Sequence, residues 1–97
     1  MKIPKQFQLF GDTIRVIDDP KLRFNDNADG MAYYATNKIG IQTDTPEYPF
    51  LHREQVFIHE LLHHCFNAIG ENELRGNEKL INQLSKALHQ AVTTMEY

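Results

Sequence analysis

Apolar and polar residues alternate in the first part of the chain, which is the pattern of β-strands that bury one face. Residues 5–10 and 13–19 show this alternation on either side of Gly11-Asp12, a turn-forming pair. The alternating apolar positions are Phe7, Leu9, Ile14 and Val16. We therefore predict a β-hairpin made of two short strands.

A second group of strands is predicted further along the chain. Residues 31–36 and 38–43 favour strands, with a tight turn at residues 37–38 and a bulge at Gly40. A single bent strand pair of unequal length fits the same residues. Residues 25–30, between the two groups, are turn formers with acidic and amide side chains at alternate positions. They lack the remaining ligands of a calcium-binding loop, so we interpret them as a solvated loop.

The second half of the chain has the apolar spacing of helices. Residues 51–69 are apolar over a broad arc of the helical wheel that includes Leu51. This helix is predicted to be mostly buried and to end at Gly70. Residues 74–95 carry an apolar stripe and predict a second helix. The second helix begins either near residue 74 or after Asn77, which is a good N-cap.

Composition narrows the class of protein. The 97 residues fit one domain, residues 1–97, and the net charge of −3 disfavours a nucleic-acid partner. No apolar run is long enough to span a membrane, and the first residues lack the apolar stretch of a signal peptide. The single cysteine, Cys65, suits a reducing compartment. We predict a cytoplasmic α+β protein whose N-terminal half forms a small, mostly antiparallel sheet packed on two helices.

The candidate chemistry lies in the first helix, in the segment His59-Glu60-Leu61-Leu62-His63. His59 and His63 are four residues apart, so they lie on one face of a helix and their imidazoles can bind one zinc ion. Glu60 points to the neighbouring sector, where it can accept a proton from water at the metal without being a ligand. The segment therefore predicts a Zn²⁺ site with Glu60 as general base.

Catalytic zinc ordinarily has three protein ligands, so a third ligand is needed. The extended motif with a third histidine is excluded, because Phe66 and Ile69 occupy its glycine and histidine positions. Glu78 is the best candidate, because a carboxylate at the margin of the second helix's apolar stripe would be partly buried and need a partner. The break at Gly70 lets the second helix fold back beside the first. The alternative is that Glu78 only complements the dipole at the helix start.

Other polar residues near the motif are weaker candidates. Asn82, four residues after Glu78, is predicted either to hydrogen-bond a ligand histidine or to be an exposed helix residue. His64 points about 100° away from His63 on the wheel. The residues that we interpret as surface or rim residues are His52, His64, Glu71, Glu73 and His89.

The motif followed by Glu78 on a second helix resembles the gluzincin arrangement of zinc metallopeptidases. Over essentially its full length, the order of strands and then two helices resembles the reduced forms of that fold. These are the minigluzincins and the short ImmA/IrrE-like metallopeptidases of phages and mobile elements. The resemblance implies zinc at His59, His63 and Glu78, with Glu60 as general base. It also implies an extended peptide along the sheet edge nearest the zinc, for which residues 33–43 are the candidate.

The chain departs from the larger gluzincins in two ways. Asn82 stands where those proteins often carry an aspartate. They also supply a tyrosine or histidine that stabilises the oxyanion, and no motif in this chain assigns that role. The candidates for oxyanion stabilisation or substrate binding are Tyr33, Tyr34, His64 and Tyr97.

These observations predict a zinc metallopeptidase that hydrolyses a peptide or protein substrate, and the resemblance implies one of the phage or prophage type. The alternative is a non-catalytic or regulatory zinc-binding module that binds a partner protein such as a repressor. A fourth side chain on the metal, such as Glu71 or His64, would favour that alternative, whereas an open position would favour an enzyme. A third hypothesis is autoinhibition, in which residues 93–97 or a partner subunit cover the site.

Overall fold

The computed structural model describes residues 1–47 and 52–97, which form an α+β fold. The strands are β1 (Gln6–Leu9), β2 (Asp12–Asp19), β3 (Gly30–Tyr33) and β4 (Lys38–Gln42). The helices are α1 (Leu22–Asp26), α2 (Arg53–Ala68), α3 (Asn72–Arg75) and α4 (Glu78–Thr94). The predicted class, a small sheet packed on two main helices, is confirmed. The residue Leu51, which was included in the first predicted helix, lies outside the described residues.

The predicted hairpin is formed by β1 and β2, which pair antiparallel. Its turn consists of Phe10 and Gly11, one residue earlier than predicted, because Leu9 pairs with Asp12. Both turn residues have positive φ, 50° and 86°. A two-residue turn of this kind matches the twist of the strands, and glycine takes the second position without a steric cost.

The sheet has the strand order β1-β2-β4-β3 within the described residues. β3 and β4 pair antiparallel, but β2 and β4 pair parallel, so the sheet is mixed and two of its three pairings are antiparallel. Gly40 pairs with Met31 in regular register, so the predicted bulge is wrong. A side chain there would crowd the ring of Tyr33, whose Cε2 would be 3.2 Å from an added Cβ. The connection between β3 and β4 spans residues 34–37.

Helix α1 occupies part of the stretch predicted to be a loop. The helix ends after Asp26, and Asn27 closes it in the left-handed conformation with φ of 51°. Leu22 is fully buried. The buried amide of Gln42 accepts a hydrogen bond from Arg23 N at 2.7 Å and donates one to Pro20 O at 3.1 Å. These contacts fix α1 against the end of β4, leaving residues 27–29 to lead into β3.

The core lies between one face of the sheet, α2 and the first part of α4. Its fully or almost fully buried members are Ile14, Ile39, Ile41, Phe57, Ile58, Leu62 and Ile81. Burying one such side chain stabilises the fold by about 1.5–3 kcal/mol, so this cluster determines how α2 is rotated about its axis. With Ile58 and Leu62 in the core, His59 and His63 turn toward the space beside β3 and α4.

The last helix begins where the N-cap prediction places it. The side chain of Asn77 accepts a hydrogen bond from Leu80 N at 3.1 Å, so Asn77 is the N-cap of α4 and Leu74 belongs to α3 in the connection. Gly70, with φ of 77°, directly follows the C-cap of α2, where the glycine was predicted to stop that helix. In α4 only Ile81 and Ser85 are buried. None of the helices in the described ranges is long and apolar enough to cross a membrane.

Candidate metal centre

The two histidines of α2 come together one helical turn apart. Their Nε2 atoms are 3.2 Å from each other, and their ring planes are tilted by 58°. His63 is buried and His59 is half-buried. The local sequence gives this arrangement because residues four apart in a helix lie on one face. Both rings therefore present the same nitrogen to one point in space.

Glu78 reaches the same point from another helix. It is the first residue of α4, and its two carboxylate oxygens lie 3.2 Å from His59 Nε2 and 3.0 Å from His63 Nε2. Its side chain is 62% exposed, so the carboxylate stands at the mouth of the site rather than in the core. The turn at Gly70 and the cap at Asn77 bring this helix start beside α2.

The donor set fits a divalent cation. In a tetrahedral zinc site with ligand bonds of about 2.0–2.1 Å, neighbouring ligand atoms are about 3.3 Å apart. Here the two imidazole nitrogens lie 3.2 Å apart, and each is 3.0–3.2 Å from a different oxygen of the Glu78 carboxylate. Burial, and next the neighbouring His63, lower the pKa of His59 and so favour the neutral ring that binds metals. His59, Glu60 and His63 also form a group that could hold a metal ion, so the histidine pair has two carboxyl groups beside it, Glu60 and Glu78.

The second ring nitrogen of His63 lacks a hydrogen-bond partner in the described part of the chain. His63 Nδ1 is buried, and no hydrogen-bond partner for it is found among the residues that the structure describes. Metal-binding histidines ordinarily donate this second ring N–H to a neighbouring group, and losing that bond costs about 10–100-fold in metal affinity or activity. The described residues therefore do not supply this hydrogen bond to the second ring nitrogen of His63.

Glu60 lies beside the two histidines but in a different environment. It is only 6% exposed. Burial, with a smaller contribution from Glu78, raises the pKa of its carboxyl group to about 8. Because a buried carboxyl group without a nearby cation resists ionisation, Glu60 retains a proton near neutral pH in the metal-free protein. A carboxyl group with a raised pKa in a cleft is a candidate proton acceptor and donor.

The raised pKa predicts how the stability of the metal-free protein depends on pH. In the folded state Glu60 keeps its proton up to about pH 8. In the unfolded state its carboxyl group has the ordinary pKa of 4.5 and loses the proton at a much lower pH. The free energy of unfolding should therefore fall between these two pH values and level off above pH 8. Glu60→Gln should remove this fall, since glutamine does not titrate. With chelator present and above pH 8, the free energy of unfolding of the variant should exceed that of the parent by a few kcal/mol.

Thermal unfolding followed by circular dichroism from pH 4.5 to pH 9 would measure this difference. Parallel curves for the parent and the Glu60→Gln variant would contradict the prediction.

Gly30 determines how closely β3 approaches Glu60. A Cβ added at Gly30 would lie 2.5 Å from Val56 Cγ1, 3.0 Å from Glu60 Cγ and 3.1 Å from Glu60 Oε2. Real side chains do not tolerate the first of these distances, so β3 contacts α2 here through its bare backbone. Sequence reasoning did not identify this residue, because the pattern marks Gly30 only as a turn former.

The close approach predicts a specific cost for Gly30→Ala. The added methyl group should push β3 away from α2 and move the Glu60 carboxyl group, lowering the free energy of unfolding by about 1–3 kcal/mol. Gly76→Ala is the matched control, since the nearest atom to its added Cβ is 3.7 Å away and its φ of −88° suits alanine. Urea unfolding of both variants measures the difference. Equal stability of the two variants would mean that β3 adjusts freely.

Two clefts open on either side of His59 and Glu60. The smaller has a volume of about 270 Å³ and is lined by Gly30, Met31, Ala32, Tyr34, His59, Glu60, His63 and Glu78. The larger has a volume of about 550 Å³ and is lined by Asp29, Gly30, His52, Gln55, Val56, His59, Glu60, Asn82, Ser85 and Lys86. Gly30 is common to both, so the clefts follow the outer strand β3 past the histidines.

Asn82 lies one turn beyond Glu78 on α4 and lines the larger cleft. Its side chain hydrogen-bonds His59, which favours the protonated form of that ring. Asn82 is also exposed, so it has features of both sequence interpretations, the support of His59 and the exposed helix residue. Ser85 Oγ donates to the Asn82 carbonyl oxygen at 2.9 Å.

The three tyrosine candidates for oxyanion stabilisation or substrate binding lie in different surroundings. Tyr34 lines the smaller cleft, and its ring packs edge-on against His64 at 5.3 Å and beneath Arg75 at 5.2 Å. Burial, offset in part by Arg75, raises the pKa of the Tyr34 hydroxyl, which therefore stays protonated. Tyr33 turns to the opposite face of β3, against Gly40. Tyr97 is fully exposed.

His64 is not the surface or rim residue that the sequence suggested. It is 2% exposed, and its Nε2 lies 2.8 Å from Lys38 O at the start of β4. Its ring therefore ties α2 to the sheet and does not face the metal centre. The error arose because a helical wheel gives a direction but not the neighbour that lies in that direction.

The other residues interpreted as surface or rim residues lie outside the metal centre. His89 pairs with Glu54 at 3.0 Å, while His52, Glu71 and Glu73 are exposed.

The predicted substrate edge is also corrected. Residues 33–43 were expected to form the outer edge, but β4, the main strand within this range, lies between β2 and β3. The outer strand is β3, Gly30–Tyr33. Because β2 pairs with β4 in parallel, β4 lies in the interior of the sheet. No local pattern in the sequence predicts that pairing.

No protein-family model, curated protein or solved structure matches this chain. The resemblance to the reduced gluzincins therefore stays an expectation drawn from the motif and the order of elements.

Proposed function

We propose that this chain is a zinc-dependent peptidase. The observation that carries the proposal is the convergence of His59 Nε2, His63 Nε2 and the Glu78 carboxylate: the nitrogens are 3.2 Å apart, and each lies 3.0–3.2 Å from one of the two Glu78 oxygens. Nitrogen and oxygen donors in this number are typical of catalytic zinc, which keeps a fourth position for water or substrate. Glu71, the alternative fourth ligand, is exposed, and His64 is engaged with Lys38.

The remaining residues have separate roles in the proposed reaction. Zinc, when bound, supplies a Lewis acid that polarises a carbonyl group and lowers the pKa of water to about 7. With the cation bound, the ionised form of Glu60 would be favoured, and this carboxylate would accept the proton of the attacking water and donate it to the leaving amine. Its buried position beside His59 excludes bulk water from that transfer. The Tyr34 hydroxyl, protonated and at the wall of the smaller cleft, is our candidate for stabilising the oxyanion.

The substrate in this proposal is an extended peptide on the outer strand β3. Gln42 N donates to Asp29 O at 2.8 Å, so alternation along the antiparallel pair directs the backbone groups of Gly30 and Ala32 toward the open edge. Both residues line the smaller cleft with His63 and Glu78. A peptide that pairs with these groups would add a strand to the sheet and pass the metal donors.

Zinc titration tests the ligand set. The purified protein should bind one zinc ion per chain, measured by elemental analysis after dialysis and by calorimetric titration. Glu78→Gln should bind zinc more weakly by about 1–3 kcal/mol, roughly 10–100-fold, because a neutral amide replaces a charged ligand. Glu73→Gln is the matched control, since Glu73 is an exposed glutamate that lines neither cleft. Equal affinity in both variants would remove Glu78 from the centre.

A further inference from the structure

The larger cleft has its own chemical character. It lies beside His59 and Glu60 and shares neither His63, Glu78 nor Tyr34 with the smaller cleft. A volume of about 550 Å³ falls in the range of sites that enclose small ligands or substrate side chains. If a peptide follows β3 past the metal donors, part of it lies against this cleft. The residues of the cleft wall then select among peptides.

Charge in the larger cleft is uneven. Asp29 is paired with Arg23, with Arg23 Nε 2.6 Å from its carboxylate. Glu60 adjoins the metal donors and is the proposed proton acceptor. Lys86, in contrast, forms no ion pair with any residue in the described ranges, although it lines the same cleft. Lys86 is therefore a cationic side chain of the cleft wall without an ion-pair partner among the described residues.

The position of Lys86 relates that charge to the metal centre. Glu78, Asn82 and Lys86 follow one another at intervals of four residues on α4, so they lie along one face. Eight residues of helix advance about 12 Å, and an extended peptide advances about 3.3 Å per residue. Lys86 therefore stands within about four residues of the bond that the metal centre would cleave.

We propose that Lys86 makes the larger cleft a subsite for a carboxylate of the peptide substrate. This inference rests on the proposed peptidase function. The carboxylate is either an acidic side chain or the C-terminus of the peptide, since both offer the same acceptor oxygens to an ammonium group. Gln55 and Asn82, which line the same cleft, supply neutral hydrogen-bond donors to such a group.

A binding experiment tests the subsite without relying on turnover. The zinc-loaded Glu60→Gln variant is titrated with short, end-blocked polyalanine peptides in which a single glutamate is scanned along the chain, each with a matched glutamine peptide. Unblocked polyalanine with a free C-terminal carboxylate is compared with its amide. At one or two positions the carboxylate should tighten binding about three- to five-fold, the range of an exposed ion pair. High salt should reduce this preference.

Further variants assign the effect to Lys86. In the same background, Lys86→Gln should abolish the preference and Lys86→Glu should reverse it. Lys79→Gln, which changes a lysine of α4 outside both clefts, should keep it. A preference for scanned glutamate indicates a side-chain carboxylate, and a preference for the free terminus indicates a C-terminal one.

The outcomes separate the two proposals. Binding of all peptides with no charge preference, or a preference that survives Lys86→Gln, overturns the carboxylate subsite and leaves the peptidase proposal standing. Absence of both peptide binding by the Glu60→Gln variant and peptide cleavage by the zinc-loaded parent overturns the peptidase proposal itself, and the subsite falls with it.

Discussion

Replacing Glu60 with glutamine should abolish peptide cleavage while leaving zinc bound. Glutamine keeps the size of the side chain and the close contact with Gly30, but it cannot accept the proton of the attacking water. Loss of a general base typically lowers the rate by about 10²–10⁴-fold. Cleavage of a peptide library by the zinc-loaded parent and variant, followed by mass spectrometry, measures the effect. Zinc content should stay at the parent level, because Glu60 is not one of the three proposed ligands.

Two comparisons make this result interpretable. Glu73→Gln removes an exposed glutamate that lines neither cleft, so it should cleave at the parent rate. A fully active Glu60→Gln variant would refute the mechanism. A parent that binds zinc but cleaves no peptide would favour the alternative, a zinc-binding module that recognises a partner protein.

Removing the metal should produce the second large effect, a loss of thermal stability. Zinc joins α2 to α4 in the proposed centre, and a ligand that binds only the folded state stabilises it by mass action. At a free concentration about a thousand times the dissociation constant this amounts to about 4 kcal/mol. For a domain of this size that corresponds to a shift of roughly 15–30 °C in the melting temperature.

Differential scanning calorimetry with zinc and with chelator would measure the shift. His63→Ala should melt at the same temperature under both conditions, because it lacks one of the central ligands. His89→Asn is the control, since His89 contacts Glu54 away from the centre, and its melting temperature should respond to chelator as the parent does. A parent that is insensitive to chelator would show that the histidine pair is held by protein contacts alone.

The parts of this molecule that could be predicted from the sequence depend on local spacing. The pair His59 and His63 needs only the periodicity of one helix, and the hairpin of β1 and β2, whose turn lies one residue before the predicted one, needs only neighbouring strands. Asn77 could be named as a cap because the N-cap preference is a property of one turn. Glu78 was named because zinc chemistry requires a third ligand, and the structure brings its carboxylate to both imidazoles.

The parts that could not be predicted depend on contacts between distant segments. Alternation identifies β4 as a strand with a buried face, but it does not show that β2 is its parallel neighbour. The outer edge was therefore assigned to residues 33–43 instead of β3. Helix α1 has only five residues, too few to display a period. The close contact of Gly30 with Glu60 exists only once β3 and α2 pack together.

The shallow burial of α4 should set the rate at which the proposed centre exchanges its ion. Only Ile81 and Ser85 of this helix are buried, while Leu88 and Val92 remain 38% and 44% exposed. Segments with few buried contacts open locally at a lower free energy than the rest of a fold. Each opening of α4 would carry Glu78 away and leave the ion on two imidazoles. Metal dissociation should therefore follow the local opening of one helix and proceed much faster than global unfolding.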